Sequence, residues 1–135
     1  MISVCIATYN GERYIVEQIK SILCQINSDD EIVISDAGST DNTVKEIASI
    51  NDDRIKLLTY NGNTSAPKSS VFTKMDAVRL NFENALSNSK GDIIFLADQD
   101  DIWMSNKVQR CLNELDKFDC IIHDCTVINN DKEVL

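Results

Sequence analysis

The stretch Ile93-Ile94-Phe95-Leu96-Ala97-Asp98-Gln99-Asp100-Asp101-Ile102-Trp103 constrains this chain more than any other. Five apolar residues run straight into three carboxylates within four positions. A run that short, with Gly91 ahead of it, reads as a strand buried on both faces that stops where the chain turns acidic. Carboxylates so close repel one another unless a positive charge sits among them. A hard divalent cation, Mg²⁺ or Mn²⁺, suits carboxylate oxygens and commonly holds a phosphate as well. An exposed acidic turn, with Asp101 or Ser105 capping the next helix, accounts for the same residues.

The remaining chain alternates strands and helices. Residues 2–7 read as a first strand, followed by the turn Thr8-Tyr9-Asn10-Gly11-Glu12 with Asn10 as a helix N-cap. Ile15, Ile19, Ile22, Leu23 and Ile26 recur at helical spacing, so a helix runs to about Gln25. A second strand at 31–35 ends in Asp36-Ala37-Gly38-Ser39-Thr40-Asp41, where Gly38 suits positive φ and Thr40 caps a helix buried through Val44, Ile47 and Ala48. A third strand covers 54–60, and 61–70, with Gly62 and the only proline, Pro67, is irregular. Val71, Met75, Val78, Phe82, Ala85 and Leu86 mark a helix before the acidic strand. Val108, Cys111, Leu112 and Leu115 mark another after it, residues 120–127 read as a last strand, and Asn129-Asn130-Asp131 as a turn.

This alternation predicts one α/β domain over 1–135 with a mostly parallel, Rossmann-like sheet flanked by helices. Such sheets bind ligands at the carboxyl ends of their strands, where strand order reverses. Those ends carry Thr8, Tyr9 and Asn10, then Asp36, Gly38 and Ser39, then Asp98, Asp100 and Asp101, so polar groups converge on one edge.

A net charge of −9 leaves no basic stripe to meet a phosphate backbone, which excludes a nucleic-acid partner. No apolar run approaches the roughly 20 residues that span a bilayer, and the N-terminus lacks a signal-peptide layout. Five cysteines, an odd number without a CxxC pair, read as reduced, mostly buried thiols of a cytoplasmic protein. Cys120 and His123 would point to opposite faces of a strand, which argues against a zinc cluster with Cys125.

Ser3-Val4-Cys5-Ile6-Ala7-Thr8-Tyr9-Asn10-Gly11, Ile34-Ser35-Asp36-Ala37-Gly38-Ser39-Thr40-Asp41, Asn81-Phe82-Glu83-Asn84-Ala85-Leu86 and Asp98-Gln99-Asp100-Asp101-Ile102-Trp103 resemble, in order and spacing, the N-terminal half of the family 2 inverting glycosyltransferases. The last motif is most like bacterial rhamnosyltransferase-type members that build surface polysaccharide. The resemblance implies a GT-A fold, cut to its donor-binding half, for a nucleoside-diphosphate sugar. It implies a metal-dependent, inverting transfer to a saccharide or lipid-linked saccharide acceptor, in the cytoplasm or peripherally at the inner face of the membrane. By resemblance Ala7, Thr8 and Tyr9 face the base, and Asp36 and Ala37 face base and ribose. Asp98, Gln99 and Asp100 belong to the acidic motif, with Asp98 and Asp100 holding Mn²⁺ or Mg²⁺. Arg79, with Lys68 and Lys74, lies where family members often contact the diphosphate, a loose correspondence because the loop varies, and solvated side chains are the simpler account of those three.

Two departures stand out. Ala37 replaces the second aspartate of the usual Asp-Asp-Gly-Ser turn, whose lost hydrogen bond to the base is worth roughly 1–3 kcal/mol. No carboxylate after the acidic motif sits where the family places its general base, so none is named. A non-catalytic nucleotide- and metal-binding module of the same fold is the alternative. A signalling receiver domain would need an acidic pair after the first strand, where Thr8-Tyr9-Asn10 stands instead. An exposed sheet edge in such a half-domain favours homo-oligomers.

Overall fold

The computed structural model describes residues 1–60, 74–129 and 131–135. They form two compact units, Met1–Ser105 and Asn106–Leu135. The first holds strands β1 (Ile2–Thr8), β2 (Glu31–Asp36), β3 (Ile55–Thr59) and β4 (Ile93–Asp98), with helices α1 (Ile15–Leu23), α2 (Thr43–Ser49) and α3 (Lys74–Ser87) between them.

The four strands make one parallel sheet in the order β3-β2-β1-β4. Strand order runs outward from β1 to β3 and then reverses to place β4 on β1's other side, so the switch point lies between β1 and β4. Alternation sends Cys5 and Val33 to one face, where Ala85 of α3 closes a buried cluster flanked by Leu58. Val4, Ile6, Ile32 and Ile34 fill the other face, and the remaining fully buried isoleucines come from α1 (Ile15, Ile19, Ile22) and α2 (Ile47). Burial at roughly 25 cal/mol per Å² makes these runs the main stabilising term of the unit.

The α/β alternation stands as expected in Met1–Ser105, with differences in detail. Among the described residues β4 is an edge strand, not one buried on both faces: Phe95 and Ala97 are buried, whereas Ile94 and Leu96 are 39% and 57% exposed. In α2 the buried positions are Thr43 and Ile47, one turn apart, while Val44 and Ala48 face solvent. In α3 the sheet-facing residues are Asn81 and Ala85, one turn apart, and Val78 and Leu86 are exposed. Of the five free thiols only Cys5 is fully buried; Cys24, Cys120 and Cys125 are exposed. Burial, with the nearby Glu31 charge adding to it, pushes the Cys5 thiol up against a lowering hydrogen bond to Ser89. The irregular 61–70 stretch, Lys68 and Val71 lie outside the described residues.

The second unit contains α4 (Lys107–Leu115), with Val108 buried. The expected strand at 120–127 does not form: those residues carry no helix or strand, and Ile122 is 93% exposed. A strand needs a ladder partner and a face to bury, and the described residues of this unit offer only an isolated antiparallel bridge between Ile128 and Val134. Asn129 organises that turn by accepting the Asp131 and Glu133 N–H groups, both at 2.9 Å.

Candidate functional site

The carboxyl ends of β1, β2 and β4 are set side by side by register, Thr8 beside Asp36 and Ala7 beside Asp98. Asp36, 2% exposed, commits its carboxylate to its own turn. The Gly38 and Ser39 N–H groups donate to Oδ2 at 3.0 and 2.9 Å, and the Ser39 hydroxyl donates to Oδ1 at 2.5 Å. Gly38 sits at φ +80°, a conformation that costs glycine little. The Thr8 carbonyl accepts both the Ala37 N–H at 2.9 Å and Asn81 Nδ2 at 3.1 Å, drawing the β2 turn and α3 together beside β1. Asn81 is buried, and its Oδ1 meets no donor among the described residues.

Gln99 joins the first loop to the acidic turn. Its Oε1 accepts the Thr8 hydroxyl at 2.7 Å and the Tyr9 N–H at 2.9 Å, and its Nε2 donates to the Tyr9 carbonyl at 3.3 Å. Gly11 makes room for that amide, since a Cβ there would lie 2.4 Å from Gln99 Oε1 and 2.8 Å from Cδ. The Tyr9 side chain remains exposed.

A second set of bonds latches the loops after β1 and β2. Asn10 N–H donates to Ser39 Oγ at 2.9 Å, and Asn10 Oδ1 accepts the Thr40 N–H at 2.8 Å. Glu12 Oε2 accepts Asn42 N–H and Nδ2 at 2.8 and 2.9 Å. Asn10, at φ +49°, is therefore a loop bridge and not the cap of α1, and Thr40 likewise does not cap α2. Asp41 receives the Thr43 hydroxyl and N–H and the Glu12 N–H. Desolvation raises its carboxyl, but those hydrogen bonds outweigh it and leave Asp41 below its ordinary value.

Asp98, Asp100 and Asp101 form no ion pair or side-chain hydrogen bond with any described residue. Partial desolvation, then the charges of Asp101 and Asp100, hold the Asp98 carboxyl above the usual range. Oxygen donors held together without a counter-charge fit a hard divalent cation. Among the described residues no three His, Cys, Asp or Glu side chains group so as to hold a metal ion, so two carboxylates at most would be protein ligands and phosphate oxygens and water would supply the rest. Trp103 lies beneath this turn, 5% exposed, its ring 5.4 Å from Phe95.

Thr8, Tyr9, Asp36, Ala37, Asp98, Gln99 and Asp100 thus gather at one edge, with Ala7 in register beside them. Arg79 is an exposed α3 residue whose guanidinium pairs with Glu83 one turn on. Sequence reasoning missed Gly11, Gln18, Ser39 and Asn81 as organisers. Gln18 carried a readable signal, a polar residue on the Ile15-Ile19-Ile22 stripe, and it is fully buried.

The glycosyl transferase family 2 model matches residues 3–71. The chain is 33% identical to the Escherichia coli UDP-Glc:alpha-D-GlcNAc-diphosphoundecaprenol beta-1,3-glucosyltransferase, over 81% of this chain and 38% of that protein. It is 34% identical to the Shigella flexneri dTDP-rhamnosyl transferase, over 92% and 37%. It therefore spans about two fifths of the length of these curated relatives. Among solved structures, Staphylococcus aureus TarS 1–349 matches at TM-score 0.67 and 24% identity, over 86% of this chain and 32% of that one. Glucosyl-3-phosphoglycerate synthase of Mycobacterium tuberculosis, solved with Mn²⁺, UDP and phosphoglyceric acid, matches at TM-score 0.60 and 26% identity, over 85% and 38%. The fold is of the GT-A type, as the resemblance implied. With the family model covering residues 3–71 of 135, the chain belongs to glycosyl transferase family 2.

Proposed function

We propose that this chain is the donor-binding part of an inverting glycosyltransferase that takes a sugar from a nucleoside diphosphate to a saccharide or lipid-linked saccharide acceptor in polysaccharide assembly. The reading includes Mn²⁺ or Mg²⁺ as cofactor and a cytoplasmic site of action, including the inner face of the membrane. The observation that carries it is the uncompensated Asp98-Asp100-Asp101 turn beside the switch point, next to the Thr8-Gln99 and Asp36 turns. Support comes from the relative that uses a UDP-sugar and a diphosphoundecaprenol acceptor and from the neighbour solved with Mn²⁺ and UDP.

In this reading Ala7, Thr8, Tyr9, Asp36 and Ala37 face base and ribose, Arg79 faces the diphosphate, and Asp98 and Asp100 hold the cation. When bound, a divalent cation supplies Lewis-acid charge for the departing nucleoside diphosphate. Gln99 keeps the base-facing loop and the acidic turn at fixed separation, so the two ends of the donor are met by one rigid edge. Asp36 spends its carboxylate on Gly38 and Ser39, and Ala37 has none, so base contacts fall chiefly to backbone groups. Discrimination among bases is then narrow, about tenfold or less. The acceptor proton requires a general base, and no residue of 1–135 is assigned that role.

Calorimetric titration with UDP, dTDP and GDP, with and without Mn²⁺, tests the reading on this chain and on Asp100→Ala. The expected result is Mn²⁺-dependent binding that Asp100→Ala weakens by more than about tenfold. No binding of any nucleotide would sink it.

A further inference from the structure

The acidic turn is held at both ends by one helix that contributes no charge to it. Gln18 and Ser21 lie one turn apart on α1, and so on the same helix face. Gln18 is fully buried, and its Nε2 donates to the Asp98 carbonyl at 2.9 Å. The Ser21 hydroxyl donates back to the Gln18 carbonyl at 2.7 Å and thereby turns its oxygen to the Trp103 N–H, which donates to it at 3.0 Å. Ser21 Oγ also lies 3.2 Å from Gln18 Oε1, linking the two clamps. A donor and an acceptor on the helix thus meet an acceptor and a donor at the two ends of the turn. The carboxylates of Asp98, Asp100 and Asp101 take no part.

We infer that Gln18 and Ser21 are positioning residues for the acidic turn. Neutral amide and hydroxyl groups fix its backbone against the mutual repulsion of three carboxylates, and leave every carboxylate oxygen available to a divalent cation. A basic residue in either place would hold the turn by neutralising it. A buried glutamine and a serine hold it without competing for the ligands. The inference rests on the donor-site reading only where the cation is concerned; its backbone claim stands on the two bonds themselves.

The variants are Gln18→Met, which keeps length and loses the donor, Ser21→Ala, which loses the hydroxyl, and Ser21→Thr, which retains it. Two readouts are taken on the full chain. Amide hydrogen exchange across residues 98–103, compared with 2–8, reports the clamp without ligand. Electron paramagnetic resonance of Mn²⁺ in the presence of UDP reports the site. Gln18→Met and Ser21→Ala are expected to speed exchange at 98–103 by about tenfold and weaken Mn²⁺–UDP binding by a similar factor, with residues 2–8 unchanged. Ser21→Thr is expected to restore both. Unchanged exchange at 98–103 in both deletion variants overturns the inference, as does loosening spread equally over 2–8, which marks a general loss of stability. Faster exchange with unaltered Mn²⁺ affinity overturns the positioning role. If the unaltered chain binds no Mn²⁺–UDP, the donor-site reading fails and the exchange data alone decide the clamp.

Discussion

Gly11 sets how closely the loop after β1 approaches the acidic turn. A methyl group there meets the Gln99 amide at 2.4 Å, and Gln99 cannot swing aside without releasing the Thr8 hydroxyl and the Tyr9 backbone. Gly11→Ala is therefore expected to cost about 1–2 kcal/mol, read from urea denaturation midpoints. Asp98 shows the opposite balance. Its folded-state carboxyl lies above the ordinary value, so its stabilising contribution is present below that value and lost as pH rises through the folded one. At neutral pH its ionised form therefore adds nothing to stability and opposes the neighbouring Asp101 and Asp100 charges. Asp98→Asn should raise the melting temperature by about 1–2 °C at pH 7, have no effect near pH 3, and abolish Mn²⁺ binding. Both features have sequence correlates of unequal strength. Three close acids announce themselves, but a glycine in a polar turn looks like any turn glycine until the amide it accommodates is seen.

At the scale of elements, a single arginine ties two of them. Arg54 donates through Nη1 to the carbonyls of Leu23 and Ile26, at and beyond the end of α1, at 3.1 and 2.8 Å. Through Nε and Nη2 it grips Asp52, just ahead of β3. The planar fork does what an ammonium cannot, so Arg54→Lys should lose about 1 kcal/mol although the charge is kept. Side-chain and backbone hydrogen bonds from Arg54 hold Asp52 at about 2. A depressed carboxylate contributes stability above its ordinary value, about 4, that disappears as pH falls toward 2. Acid titration followed by exchange at the start of β3 should show that loss, and Asp52→Asn should lack it. The elements themselves were legible because parallel strands buried between helices read as continuous apolar runs. The 120–127 segment, apolar at Ile121-Ile122 but broken by His123-Asp124, forms no strand among the described residues, since a pattern states what a segment can bury and not whether a neighbour is there. The caps were misplaced for a related reason: Asn10 and Thr40 satisfy a loop facing them in space, a pairing no local pattern encodes.

At the scale of the molecule, β4 leaves its outer edge unpaired among the described residues, with Ile94 and Leu96 exposed beside it. Unpaired edges of this kind invite further strands, while a net charge of −9 opposes association at low ionic strength. Light scattering should find a concentration-dependent rise in mass that grows between low and physiological salt and falls in Leu96→Lys. One mass at every concentration and salt would count against that edge as a contact.

The order β3-β2-β1-β4 also bears on how the chain is made. β1 leaves the ribosome before the other three strands of its sheet, yet it ends up in the interior of the sheet, and its pairing of Ile2 with Ile93 waits for a segment some 90 residues later. At about 5–20 residues per second, that leaves one side of an apolar strand without its partner for roughly 5–20 s of every synthesis. Synonymous codons that slow translation between β1 and β4 should therefore lower soluble yield of an unchanged protein, and co-expressed holdase chaperones should restore it.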